Sequence, residues 1–270
     1  MTTEAPEIQS PAASPSPALA AYQATAPYYD EFTADHDYEL WLGNLLPQLR
    51  RHGLAGQRLL DVGCGTGKSF LPLLEEGWQV TAVDISPAML AIAAEKAAGR
   101  ARLEVADMCR LPELGSFDLV WCLDDAINYL LSVAELDSAL TGFARQLAPG
   151  GLGLFDSNTL AAYRGFWSEE HRLTTPSNEL HWQGQVSPGA PAGSEMRARL
   201  RALDSGGRLV AEALHRERHF RQEEILAALD AAELECLEIF GHGYDAVLEQ
   251  PLDEQRHSKS VYIAKAKEGR

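Results

Sequence analysis

The residues with the clearest capacity for chemistry gather between Arg58 and Gly77, where RLLDVGCGTGKSFLPLLEEG runs from an apolar strand into Gly63, Gly65 and Gly67 and resumes as a helix. Alternating glycines leave backbone N–H groups unobstructed, and the start of the following helix attracts negative charge, so this turn is suited to holding a ligand. Acids accompany the apolar runs: Asp61 lies inside the first, Asp84 closes WQVTAVD, and Asp107 closes ARLEVAD. An ionised carboxylate at a strand end accepts hydrogen bonds and donates none, which favours a ligand rich in hydroxyl or amino groups. A second acidic pair, Asp124 and Asp125, follows FDLVWCL, and His171 and His181 lie further on. These four are the candidate bases for a hydroxyl nucleophile.

Two glycine signatures fail on spacing. A phosphate-binding P-loop requires four residues between its first glycine and Gly-Lys-Ser, whereas three separate Gly63 from Gly67 and Val62 occupies the required position. A dinucleotide fingerprint requires a third glycine where Lys68 stands. Asp-Val-Gly-Cys-Gly-Thr-Gly instead resembles the first motif of the class I S-adenosylmethionine-dependent methyltransferases, and the likeness extends over about Leu59 to Ser157, including the LAPGG stretch. The resemblance implies S-adenosylmethionine as cofactor, with S-adenosylhomocysteine as product, and a turn of Gly63, Cys64, Gly65 and Gly67 against its methionine part. It implies that Asp61 orients the loop, that Asp84 takes the ribose hydroxyls beside Ile85, and that Asp107 and Met108 receive the adenine, with Leu123 closing the fourth strand. The stretch YYDEFTADHDYE is similar to the start of small-molecule methyltransferases acting on amino sugars and other natural products. It implies cofactor contacts from Tyr29 and Tyr38 and a place for Tyr28 near the reacting methyl. On this reading the reaction is in-line displacement of a methyl group by an N or O nucleophile, with Asp124, Asp125, His181 and Tyr28 as candidate catalytic residues. A nicotinamide-dependent oxidoreductase and a noncatalytic S-adenosylmethionine-binding protein are the alternatives.

The elements that must position these residues follow from periodicity. Strand, helix and strand repeat through Ser86-Pro87, which cap the helix MLAIAAEKAA, to a helix capped by Ser132 and Glu135 and stopped by Pro149-Gly150-Gly151. Five strands alternating with helices predict a doubly wound α/β fold, a mostly parallel seven-stranded Rossmann-like sheet completed by LECLEIFG and SVYIAKA. Between them, three strands at Asn178 to Ser187, Glu195 to Asp204 and Arg208 to Phe220 form an antiparallel β insert after strand five. The chain divides into a disordered tail over 1–18, a helical cap over 19–52 and a cofactor-binding core over 53–158. The insert over 159–220 is a lid on the substrate pocket and a candidate for pairing two subunits, and 221–270 completes the sheet. Whether the insert's Tyr163, Phe166, Trp167 and Trp182 wall the pocket or form the insert's own small core is open.

Composition narrows the partners. With 270 residues and 46% hydrophobic content the chain can bury a full core. Its 39 acidic and 23 basic residues leave a net charge of −16, which repels phosphate backbones and anionic membranes, so neither nucleic acid nor membrane is an expected partner. A small-molecule methyl acceptor is. The four cysteines form no CxxC pair and read as reduced thiols, which together with the absence of a signal-like start predicts a cytoplasmic protein; no metal site is expected.

Overall fold

A computed structural model describes residues 16–243 and 246–267. The expected tail lies outside the described residues up to 15, but its last part is ordered: Pro17 occupies the first helical position of α1 (Pro17–Phe32). Next come α2 (Tyr38–Arg51), β1 (Arg58–Val62), α3 (Leu71–Glu75), β2 (Gln79–Asp84), α4 (Pro87–Ala97) and β3 (Ala101–Val105). β4 (Phe117–Cys122), α5 (Val133–Gln146), β5 (Leu147–Asn158) and α6 (Leu160–Arg164) follow. The chain continues through β6 (Glu170–Thr174), β7 (Asn178–Gly184), β8 (Glu195–Asp204) and β9 (Leu209–Arg218). It ends with α7 (Gln222–Ala231), β10 (Leu234–His242), β11 (Leu248–Glu249) and β12 (Lys259–Ala266).

The main sheet runs β11-β10-β12-β5-β4-β1-β2-β3, with β5, β4, β1, β2 and β3 mutually parallel and β12, β10 and β11 antiparallel. It has eight strands where seven are expected, because the two-residue β11 pairs with Gly241 and His242 and is too short to carry a period. Strand order reverses between β1 and β4, the crevice where open α/β sheets bind ligands. Apolar clusters cover both faces: one packs α2 with Leu59, Trp121 and Ile263, the other packs α5 and α7 with Leu60, Val120 and Tyr262.

The insert also has one strand more than expected. β6 pairs antiparallel with β7 and brings His171 into a four-stranded sheet ordered β6-β7-β8-β9. EHRLT is short, charged and on an edge, so only alternate residues are even partly covered and its pattern is weak. Tyr163, Trp167 and Trp182 pack with Leu180, Met196 and Leu200 as the insert's own apolar core. Trp182 nevertheless reaches outward, stacking on Phe32 of α1 with centroids 5.6 Å apart. Helix α1 therefore bridges the two sheets. Its Gln23 accepts from Ser86 at the start of α4 at 3.2 Å, and its Glu31 accepts from Thr175 and Asn178 of the insert at 3.0 and 3.2 Å.

Candidate active site

The turn after β1 is built for close approach. Gly63 has φ +77°, and a Cβ there would lie 2.9 Å from the Cβ of Ala126, so the position accepts no side chain without displacing the loop after β4. Asp61 does not reach the cavity. Buried at 1% exposure, it accepts from Ser69 at 2.5 Å and so ties the strand to the far side of the turn. Burial pushes its carboxyl up to about 7. Asp84 joins turn and strand directly: one oxygen accepts from the Gly65 N–H at 2.9 Å and the other from the Ser86 N–H at 2.8 Å. Ile85 N–H faces it as well, so of a carboxylate's roughly four acceptor positions at least one remains for a ligand. Asp107 stands two residues beyond β3, where it caps a short turn by accepting from Cys109 N–H at 2.9 Å.

Around these residues lies a cavity of about 440 Å³. Gly63, Cys64, Gly65, Asp84, Ile85, Asp107, Met108, Leu123, Tyr29, Tyr38 and Asp124 all line it, so the structure brings together nearly all of the residues singled out for cofactor contact. Asp61 supports the wall from behind, and Gly67 meets Phe70 rather than the cavity. The remaining wall includes Tyr22 from α1 and Tyr129 from the loop after β4.

Beyond Leu123 the backbone bends unusually. Asp124 and Asp125 both adopt left-handed conformations, with φ +60° and +52°, and their N–H groups donate to the two oxygens of Asp156 at 2.7 and 2.9 Å. Lys259, at the start of β12, donates to Asp156 at 2.9 Å and Asp124 at 3.2 Å, and also to Asp125. One buried acid, Asp156, and two half-buried ones, Asp124 and Asp125, thus share one ammonium group. Burial opposes charge on Asp124, but Lys259, His36 and Tyr38 outweigh it and hold that carboxyl well below the usual range. For Asp156 burial prevails over Lys259 and lifts the carboxyl to about 6. Burial also raises Asp125, and the neighbouring Asp124 charge adds to that. Asp124 accepts from Tyr38 at 3.0 Å and Tyr29 at 3.3 Å, so the anion fixes both phenols over the cavity.

The histidine candidates sit elsewhere. His181 lies 2.7 Å from Glu179, its neighbour on β7, and His171 stacks on Phe166 with centroids 4.2 Å apart; neither lines the cavity. Tyr28 packs against the insert's apolar core. Sequence reasoning passed over Asp156, Lys259, His36, Tyr129, His215 and Glu217. The last two had a legible signal: in LVAEALHRERHF, His215, Glu217 and His219 recur at the strand period of two, which sends all three to one face.

Comparison with known proteins agrees with this geometry. A family model described as a methyltransferase domain matches residues 59–151. A putative methyltransferase of Geobacillus sp. (strain WCH70) is 38% identical over 139 residues, which cover 50% of this chain and 56% of that protein. A putative methyltransferase of Bacillus subtilis (strain 168) is matched over 54% of its length, so the chain spans about half of these curated relatives. The dTDP-3-amino-3,6-dideoxy-alpha-D-glucopyranose N,N-dimethyltransferase of Streptomyces fradiae is 31% identical over 206 residues, covering 73% of this chain and 78% of that enzyme. Among solved structures, an S-adenosylmethionine-dependent methyltransferase from Clostridium acetobutylicum superposes with a TM-score of 0.74 at 23% identity, over 91% of this chain and 99% of the other. The sugar N-methyltransferase KedS8 from Streptoalloteichus gives 0.69 at 25% identity over 99% of both chains. The fold and the turn-and-acid site define a Rossmann-like methyltransferase. The chain belongs to the S-adenosylmethionine-dependent methyltransferase family, and an oxidoreductase reading is set aside.

Proposed function

We propose that the protein transfers a methyl group from S-adenosylmethionine to a nitrogen of a small amine, an amino sugar or related natural product being the class that its relatives' names suggest. The observation that carries this is the Asp84 carboxylate, bonded to Gly65 of the turn and lining a cavity of about 440 Å³ walled by tyrosines. S-adenosylmethionine, when bound, supplies a sulfonium methyl open to in-line displacement. Gly63, Cys64 and Gly65 hold its amino-acid part, Asp84 takes the ribose hydroxyls beside Ile85, and Asp107, Met108 and Leu123 frame the adenine. Asp124, a fixed anion, aims Tyr29 and Tyr38 at the junction of cofactor and acceptor. Of the pair after β4, Asp125 is the proton acceptor in this reading, since it stands between Asp124 and Ala126 of the cavity wall and its carboxyl is raised by burial while that of Asp124 is held as an anion. Alignment and exclusion of water then carry most of the rate, positioning alone being worth about 7–11 kcal/mol.

The insert is the lid of this site, and we place the dimer contact on it as well, supported by Leu209, Val210 and Leu214 exposed on its edge strand β9. A cytoplasmic setting is supported by four free cysteines. Among the described residues no helix is long and apolar enough to cross a membrane. Calorimetry with S-adenosylhomocysteine and with NAD tests the reading. S-adenosylhomocysteine is expected to bind in the micromolar range or tighter; binding of NAD alone would overturn it.

A further inference from the structure

Lys68 stands where a dinucleotide site would carry its third glycine, and it lines the cavity at the end of the turn. The side chain is half-buried and reaches the end of α1, where Nζ donates to the backbone oxygen of Thr33 and, at 3.1 Å, to the Thr33 Oγ1. Thr33 is itself fixed, since its hydroxyl donates to the Tyr29 carbonyl at 2.9 Å. The ammonium also lies 5.5 Å from the centroid of the Tyr38 ring, and Tyr38 belongs to the same wall.

An ammonium group has three N–H donors and a full positive charge. Both Thr33 acceptors are neutral, so among the described residues one N–H has no acceptor and the charge has no ion-pair partner. The neighbouring acids are engaged elsewhere. Asp30 pairs with Lys96 and accepts from Thr66 at 2.6 Å, while Asp124 pairs with Lys259 and accepts from Tyr29 and Tyr38. Burial disfavours the charge on Lys68, and Asp30 and Asp124 offset this only through space. A cation set in a cavity wall, out of contact with the protein's own acids, is suited to an anion that the ligand brings.

Position decides which anion. Asp84 accepts from the Gly65 N–H, and Lys68 follows three residues beyond Gly65 on the same turn. Arg110, the other cationic side chain in the described wall, belongs to the short turn after β3 that Asp107 caps, at the end assigned to the adenine. We propose that Lys68 receives the α-carboxylate of S-adenosylmethionine and so selects a cofactor that carries its complete amino-acid part. This rests on the methyl-transfer reading and names the residue that orients the cofactor's far end. The same ammonium holds Thr33, so the carboxylate and the end of α1 meet on one side chain.

Calorimetry with a series of nucleosides tests this: S-adenosylhomocysteine, S-adenosyl-3-thiopropylamine, which keeps the amine and lacks the carboxylate, and 5′-methylthioadenosine, which lacks both. The wild-type chain is expected to bind S-adenosylhomocysteine about tenfold or more tightly than the propylamine, the value of a charge-assisted hydrogen bond. Lys68→Met keeps much of the stem and removes the charge. It is expected to bring that ratio within about threefold, while the propylamine and 5′-methylthioadenosine are weakened by no more than about twofold. A wild-type chain that binds S-adenosylhomocysteine and the propylamine alike overturns the proposal and leaves the methyl-transfer reading standing. So does a variant that keeps the ratio, or one that weakens every nucleoside alike, since Lys68 would then serve only to hold α1 against the turn. A wild-type chain that binds none of them sinks the methyl-transfer reading and the proposal with it.

Discussion

The cavity has two ends made in different ways. At the end formed by Gly63, Gly65, Asp84 and Asp107, each polar group sits in or just past a strand of one continuous α/β stretch, and much of the work is done by backbone N–H groups. At the other end the charges arrive from far apart: Lys259 meets Asp124 across 135 positions and Asp156 across 103, and Tyr29 meets Asp124 across 95. The first end is local chain geometry repeated along the sheet. The second is an ion cluster that exists only once β12 has inserted beside β5 and α1 has folded across the top. The contrast teaches that the groups proposed for the cofactor come from what the chain must do to make a βαβ unit, whereas the ion cluster is assembled by topology alone.

The sharpest way to break that contrast is to remove the cation that the cluster shares, Lys259. Lys259→Ala leaves the buried Asp156 and the half-buried Asp124 and Asp125 without their ammonium partner, and losing one member of a buried ion pair costs about 3–5 kcal/mol. Urea unfolding should show a loss of this size. A loss below about 1 kcal/mol would mean the acids are already neutral or hydrated, and the cluster is not the ionic unit described.

A smaller effect is expected at the cofactor end, from Asp61. Its folded-state carboxyl is raised to about 7 by burial, above the unfolded value. A raised acid favours the folded state while protonated, so this contribution is complete below about pH 4 and is lost as pH rises through about 7. Between about pH 5 and about pH 8 the loss from this group alone is on the order of 2–3 kcal/mol. Asp61→Asn, still able to accept from Ser69, should flatten the pH dependence of stability by that amount. An unchanged slope would place the titration in Asp156, raised to about 6, and shift the pH-sensitive element to the acceptor end.

How much was legible follows the same division. The glycine turn, Asp84, Ile85, Met108 and the five parallel strands could be read because period, caps and motif all act within a few residues. Asp124 and Asp125 were visible as a pair, yet nothing local told that one would be pinned as an anion and the other raised, since the difference comes from His36, Tyr38 and Lys259. Asp156 and Lys259 carry no local signal, because they meet only when β12 pairs with β5. Of the histidines, His181 lies against Glu179 on β7 and outside the cavity lining, while His215, two residues from Glu217, faces inward on β9. Alternation in β9 held that information, but the packing of α1 against its inner face is visible only in the fold.

The most direct test of the account is the affinity for S-adenosylhomocysteine of the Asp84→Ala chain beside the wild type. Removing the carboxylate orphans the Gly65 and Ser86 N–H groups and removes the acceptors facing the ribose, a loss of about 2–4 kcal/mol, or roughly 30- to 1000-fold in Kd. A weakening of that size, with the fold retained by circular dichroism, is the predicted result. An unchanged Kd would contradict the central claim that the strand-end acid and the glycine turn together hold the cofactor.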